Sequence, residues 1–304
     1  MSKSTPSIDG VIVIHKPVGP TSHDVVVCAR RALGISRIGH TGTLDPQASG
    51  VLPLVLGQAT RLAQHLTGTD KEYIATLRFG VTSDTYDASG EIATGSGEPP
   101  SADWIAETLA RFRGTFEQAP PLYSAKMVGG ERSYVRARAG KPVQPPSVSV
   151  TAHEIELVAV DGARAEVRVR CSAGFYVRSL AHDVGQAAGC GAILDGLVRT
   201  EAAGFRLDAA VPFEVLVTER RDALRERVRP MESLLVDLPS VTLTPEGVKW
   251  ARHGRDLGPR DVLHPLTVMS PLVRMTAPDG RMLGLAEPAK ALGFLHPAVV
   301  FSYN

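Results

Sequence analysis

The chain has 304 residues, 43% of them hydrophobic and 21% charged, with a formal net charge of +1. That length suits a main domain plus a smaller one, and the balance of a soluble globular protein argues against long disorder and against an indiscriminate polyanion binder. No apolar run is long enough to cross a bilayer, residues 1–10 lack the apolar core of a signal peptide, and Cys28, Cys171 and Cys190 are scattered without a CxxC pair. The expectations are therefore no membrane, no disulfide framework, no zinc site and a cytoplasmic location.

Val11-Ile12-Val13-Ile14 reads as a buried strand stopped by the rigid Lys16-Pro17-Val18-Gly19-Pro20 turn. Ser22 then stands at the N-cap of a helix, with Asp24 in the first turn, Val25, Val26, Ala29 and Leu33 on the apolar face and Gly34 at the end. Residues 37–50 hold three glycines, a proline and two threonines, which calls for a shaped loop around one carboxylate, Asp45. Asp45 is either the opener of an Asp-Pro turn or a reactive group presented by the scaffold. Residues 51–56 form a fully apolar strand whose Pro53 suggests an edge or a strand start, and 58–66 reads as a helix stopped by Gly68.

Residues 71–79 alternate with period two, placing Tyr73, Ala75, Leu77 and Phe79 on one face. A polar, acidic loop follows at 82–97. Ser101 caps an amphipathic helix with Trp104, Ile105, Leu109 and Phe112 inward and Gly114 at its end. From 119 to 146 the chain has prolines at both ends, Gly129-Gly130, and Arg132, Arg136, Arg138 and Lys141 around Tyr134, the pattern of a basic excursion from the core. Strands at 147–160 and 163–171 meet at an Asp161-Gly162 hairpin turn. Residues 176–188 read as a helix closed by Gly189, and 192–205 as another strand. Strands outnumber helices and the hairpins imply antiparallel pairing, so the expected class is α+β, a mixed, largely antiparallel sheet flanked by helices. After a connecting segment at 229–239, residues 241–304 show short strands at 262–263, 272–276 and 282–286 between prolines and glycines, the pattern of a small β-barrel.

No Walker loop, dinucleotide fingerprint, HExxH or GxSxG occurs, and none of the nine histidines stands in ligand spacing with another, so neither a metal nor a cofactor is expected. The carboxylates, tyrosines and arginines that remain best support nucleophilic attack by a carboxylate on an activated carbon such as a glycosidic C1′. Such a site needs a permanent cation beside the acid and an aromatic platform for a flat base. Three locally basic segments, 30–37, 126–141 and 164–178, are each readable as a solvated face or jointly as one basic surface. His23 and His182 read as cap or surface residues.

Gly39-His40-Thr41-Gly42-Thr43-Leu44-Asp45-Pro46 with Gly50-Val51-Leu52 closely resembles the catalytic motif of pseudouridine synthases of the TruB type. The Lys16-to-Asp24 opening agrees with that family, as do Lys71-Glu72-Tyr73, Pro120-Pro121-Leu122-Tyr123-Ser124-Ala125, Cys171-Ser172-Ala173-Gly174-Phe175-Tyr176-Val177-Arg178 and Leu197-Val198-Arg199-Thr200, in the family's order over residues 11–206. The resemblance implies a cofactor-free enzyme that isomerises a uridine of the tRNA T-loop (position 55), with a catalytic domain at 1–236, a thumb-like insert at 119–146 and a PUA-like RNA-binding domain at 237–304. It implies Asp45 as nucleophile, Tyr73 stacked on the flipped base and accepting the C5 proton, and Arg178 paired with Asp45. Tyr176 would shape the pocket, His40 support the flipped loop, and Leu197 and Arg199 lie near the site. Each has a plainer reading: sheet packing for Tyr73, a helix surface for Arg178, a turn for His40, core for Tyr176. The sequence departs from the family at Met127, where a lysine is usual and Lys126 stands one place early, at Ser49 and at Val198. A stand-alone monomer acting on tRNA is expected, against an RNA-folding chaperone or the catalytic subunit of a guide-RNA particle.

Overall fold

The computed structural model describes residues 8–264 and 270–302, so the leader reading of 1–10 falls mostly outside the described residues. The first strand, β1 (Gly10–Lys16), is followed by helix α1 (Ser22–Leu33). Its N-cap is Thr21, one residue earlier than expected: the Thr21 hydroxyl accepts from Asp24 N while Asp24 accepts from Thr21 N, a reciprocal capping box. Ser22 is thereby freed for another partner. β2 (Ala48–Leu56) pairs antiparallel with β1 and lies inside the sheet, which corrects the edge reading of Pro53. On its other side β2 pairs at 48–50 and again at 54–56, and Pro53, which has no N–H to give, sits in the gap between the two ladders.

The expected helix at 58–66 is a 3-10 turn, Gly57–Leu62, running into a short α segment, Ala63–Thr67. β3 (Lys71–Phe79) alternates in burial as its period-two pattern requires. The 82–97 loop contains a small hairpin, Val81–Ser83 with Ile92–Thr94. Helix α2 (Ala102–Ala110), capped by Ser101, leads to β4 (Gly114–Gln118), so Gly114 opens a strand instead of ending the helix. β5 (Val148–Asp161) and β6 (Arg164–Cys171) form the expected hairpin. The basic excursion between β4 and β5 folds into a two-residue hairpin, Met127–Val128 with Glu131–Arg132, and helix Ser133–Arg138. α3 (Val177–Ala188) precedes β7 (Ala192–Ala202). The single strand expected at 192–205 is broken because Ala203 and Gly204 both take left-handed φ (55° and 75°) and turn the chain into the short strand Phe205–Arg206.

The ten-stranded main sheet runs Val211–Pro212, β1, β2, β7, β3, β6, β5, β4 along its path, mixed in direction because β7 is parallel to β2 and antiparallel to β3. That confirms the α+β class. One core lies between β3, β5, β6, β7 and the helices α2 and α3; another packs β1 and β2 against α1.

The C-terminal part is a four-stranded sheet, β8 (Ser240–Thr242), β9 (Val273–Thr276), β10 (Met282–Pro288) and β11 (Leu295–Val300), with helix α4 (Pro245–Arg252) after β8. The expected closed barrel is not found among the described residues. The strand expected at 262–263 supplies only a single bridge, Leu243 to Val262, and Leu257 bridges Leu295 at the opposite edge. Met282, Leu285, Val299 and Phe301 join Val11, Val51 and Val55 in one core, so this sheet is fastened to the main one by apolar burial.

Candidate active site

The Asp45 loop is shaped from three directions. Ser22, released from capping, donates to Leu44 O (3.0 Å) and accepts from Leu44 N (2.8 Å), and Gly19 N donates to Pro46 O (2.8 Å). Ala48 N donates to Asp45 O (3.0 Å), so Asp45 does open a turn while its carboxylate stays 44% exposed. From below, the buried Arg199 guanidinium donates to Val51 O (2.8 Å), Gly42 O (3.1 Å) and Thr43 O (3.4 Å). Gly50 is required here: its φ is +112°, and an added β-carbon would lie 2.2 Å from Arg199 O on β7.

Arg178, in the first turn of α3 and 10% exposed, places Nη2 3.1 Å from the Asp45 carboxylate. Its Nη1 lies 3.5 Å from Asp87, 8% exposed, and its remaining donors reach Thr85 O (3.4 Å) and Tyr123 O (3.2 Å). Asp87 is itself fixed by Thr85 Oγ1 (2.7 Å) and Ser89 N (2.9 Å). Tyr176, N-cap of α3, exchanges backbone hydrogen bonds with the Gln118 amide (2.8 and 3.1 Å), tying the helix start to β4. Burial pushes the Tyr176 phenol up, the neighbouring Arg178 opposes this, and the Asp45 charge adds to it.

Sheet register supplies the rest. Arg199 and Tyr73 are directly paired between β7 and β3, and Leu197 pairs Ala48 and Ala75 at once. Burial raises the Tyr73 phenol and the neighbouring Arg199 opposes it. His40, half-buried at the loop's start, is held below its usual range by burial, then by Arg199 and His23. Lys16, buried at the end of β1, donates to Pro17 O (2.8 Å) and Pro20 O (2.9 Å); burial lowers it to about 8, with Asp45 opposing. Asp45, Ala48, Asp87 and Leu197 line one small cleft.

The structure thus gathers Asp45, Arg178, Tyr73, Tyr176, Leu197, Arg199 and His40 around one loop. Arg199 lies wholly beneath that loop, where it holds backbone and does not face the cleft. Lys126 stands at the foot of the small hairpin, its carbonyl accepting from Ser133 N (2.8 Å), and no described contact joins it to Asp45. The sequence carries no mark that singles out Asp87 or Gln118, Asp87 being one acid among several in a polar loop, and Lys16 stands in the opening motif shared with the family. The basic run 164–178 is not a free cationic face: Arg168 and Arg170 pair with Glu156 and Glu154 across the β5–β6 hairpin, and Arg164 with Asp195.

A mixed sheet with a carboxylate loop against its central strands defines a class, the pseudouridine synthases. Solved structures share this fold: a Cbf5–Nop10–Gar1 complex aligns with TM-score 0.71 and 29% identity over 92% of this chain and 78% of that one. An archaeal box H/ACA Nop10–Cbf5 complex aligns at 0.71 and 27%, over 94% and 80%. Residues 30–177 match the model of the TruB family pseudouridylate synthase N-terminal domain, and 178–236 that of the tRNA pseudouridylate synthase B C-terminal domain. Proteins called tRNA pseudouridine synthase B from Azoarcus sp. (strain BH72) and Bacillus licheniformis are 42% and 38% identical, over 82% and 93% of this chain and 83% and 97% of theirs. The chain belongs to the TruB family of pseudouridylate synthases, and it is an enzyme that isomerises uridine.

Proposed function

We propose that the enzyme converts a uridine in the T-loop of tRNA, at position 55, to pseudouridine, with Asp45 as the nucleophilic carboxylate. The observation that carries the reading is the half-exposed Asp45 carboxylate at 3.1 Å from a buried arginine whose other side is bound elsewhere. A guanidinium cannot deprotonate, so Arg178 keeps a permanent cation beside the carboxylate that faces the glycosidic carbon. Asp45 bonds to C1′ as the C1′–N1 bond breaks and its electron pair leaves with the uracil anion; the ring turns, C5 bonds to C1′ and expels the Asp45 carboxylate, and the C5 proton leaves. Tyr73 stacks on the base and receives that proton while its own passes to N1, since burial disfavours a standing phenolate. Tyr176 and Leu197 shape the pocket, and His40 supports the everted loop. Flipping costs a few kcal/mol, which stacking and phosphate contacts offset.

Residues 119–146 act as the thumb on the stem-loop, with Lys126 a backbone contact, and 1–236 form the catalytic domain. Residues 237–304 form a PUA-like RNA-binding domain. Two features support this: residues 257–263 touch both edges of the small sheet, and Trp250 lies against Lys249 (5.2 Å) and Arg255 (4.4 Å), an aromatic–cationic surface suited to RNA. The protein works as a cytoplasmic monomer on free tRNA.

The test is incubation with a uridine-containing tRNA transcript and detection of pseudouridine in the T-loop, without added RNA or protein. Asp45→Asn should abolish turnover and leave tRNA binding largely intact. Full activity in that variant would end the reading, and a need for added RNA or protein would favour the guide-particle alternative.

A further inference from the structure

Two adjacent residues of the 84–89 loop dock on two residues one turn apart on α3. Asp87 meets Arg178, and the Tyr86 ring stacks on His182 with centroids 3.8 Å apart and planes 13° from parallel. We propose that the Tyr86–His182 stack is a positioning device that sets Asp87, and through it Arg178, behind the Asp45 carboxylate. The proposal rests on the reading of Asp45 and Arg178 given above.

Tyr86 has φ +65°, a left-handed conformation that a bulky side chain rarely adopts unless its surroundings enforce it. Here the enforcing contacts are visible. Leu194 N donates to Tyr86 O (2.9 Å) and Ala88 N to Leu194 O (3.1 Å), which pins both flanks of Asp87 to the start of β7. Those bonds fix the height of the loop on the sheet; the ring on His182 fixes its rotation against the helix. Asp87 takes its orientation from that backbone, since Thr85 Oγ1 and Ser89 N hold one carboxylate oxygen and leave the other toward Arg178. His182 is lowered by burial and stacks as a neutral ring. His182, half-buried on α3, is the platform of the stack.

The test compares Tyr86→Phe and His182→Phe, which keep two flat rings, with Tyr86→Ala, which removes one, and Tyr86→Gly, which removes it and relieves the left-handed strain. Two readouts are taken: the single-turnover rate on saturating tRNA beside the tRNA Kd, and amide hydrogen exchange at Ala88 and Leu194 in the free protein. Tyr86→Ala and Tyr86→Gly should slow the chemical step about tenfold, with Kd within about twofold, and speed exchange at both amides about tenfold. The two phenylalanine variants should behave as wild type. Tyr86→Ala added to Asp87→Asn should slow turnover no further, because both act through one ion pair. Wild-type rate and protection in Tyr86→Ala, slowing by Tyr86→Phe, full additivity with Asp87→Asn, or a change confined to Kd would each overturn the proposal. A wild-type protein inactive on tRNA would instead overturn the functional reading, and the exchange data would still decide whether the stack holds the loop.

Discussion

Arg178 lies between two carboxylates in different surroundings, and this fixes the outcome of two isosteric substitutions. Asp87 and Arg178 are both about nine-tenths covered, whereas the Asp45 carboxylate is 44% exposed. Removing one charge of a buried pair costs about 3–5 kcal/mol. Thr85 O and Tyr123 O continue to hold the guanidinium after Asp87→Asn, and the amide oxygen can still accept from Ser89 N, which puts that variant at the lower end, about 3 kcal/mol. Asp45→Asn removes a partner nearly half in water, worth about 1 kcal/mol or less. At about 2–4 °C per kcal/mol, Asp87→Asn should lower the thermal midpoint by about 6–12 °C and Asp45→Asn by no more than about 4 °C. Activity should reverse that order in severity, with Asp45→Asn dead and Asp87→Asn slow. Calorimetric melts of both proteins beside a single-turnover assay provide the check. If Asp45→Asn melted as low as Asp87→Asn, the assignment of Asp87 as anchor and Asp45 as free reactant would be refuted.

Gly50→Ala should destabilise the protein by about 3 kcal/mol or more, because the new carbon meets the Arg199 carbonyl at 2.2 Å and strands β2 and β7 would have to separate; loss of soluble protein or a sharply lower melting point is the readout. Lys16 and Lys71 are both lowered by burial to about 8, below their unfolded value of 10.5, so the unfolded chain holds the extra protons between those pH values. Stability should therefore rise with pH across that window, by no more than about 1.4 kcal/mol per pH unit from each lysine, and Lys16→Met should remove its share of the slope in melts from pH 7 to 10.5. Arg255→Ala should weaken tRNA binding and flatten its dependence on log salt by about 1, with the single-turnover rate at saturation unchanged. Lys126→Ala should act similarly, on affinity and not on chemistry.

What was legible in the sequence was what local pattern dictates. The 71–79 alternation put Tyr73 on the buried face because one side of β3 meets the helices and the other does not. The N-cap was misplaced by one because Thr21 and Ser22 are both hydroxyl residues; the acid three places after Thr21, not after Ser22, was the discriminating signal. Pro53 suggested an edge because a proline removes a ladder donor, yet the sheet changes neighbours at that residue and no donor is missed. The Asp45–Arg178 partnership came from family resemblance, since spacing cannot join residues so far apart in the chain. Asp87 carried no local mark at all: its role arises only when the 84–89 loop crosses the start of β7 and meets the first turn of α3.

The floor of the site shows why so few carboxylates accompany so much positive charge. Lys16, Lys71 and Arg199 lie buried beneath the Asp45 loop, and each donates to backbone carbonyls: Pro17 and Pro20 for Lys16, Thr67 and Thr69 for Lys71, and Val51, Gly42 and Thr43 for Arg199. A carbonyl satisfies a hydrogen bond without cancelling a charge, so these cations keep their field while losing their thirst for water. Carboxylate partners would bind them more simply but would also repel an anion above. With carbonyls in that place, the Asp45 loop rests on a positive floor. Arg199, fully buried, holds the backbone of the loop and adds its charge to that floor.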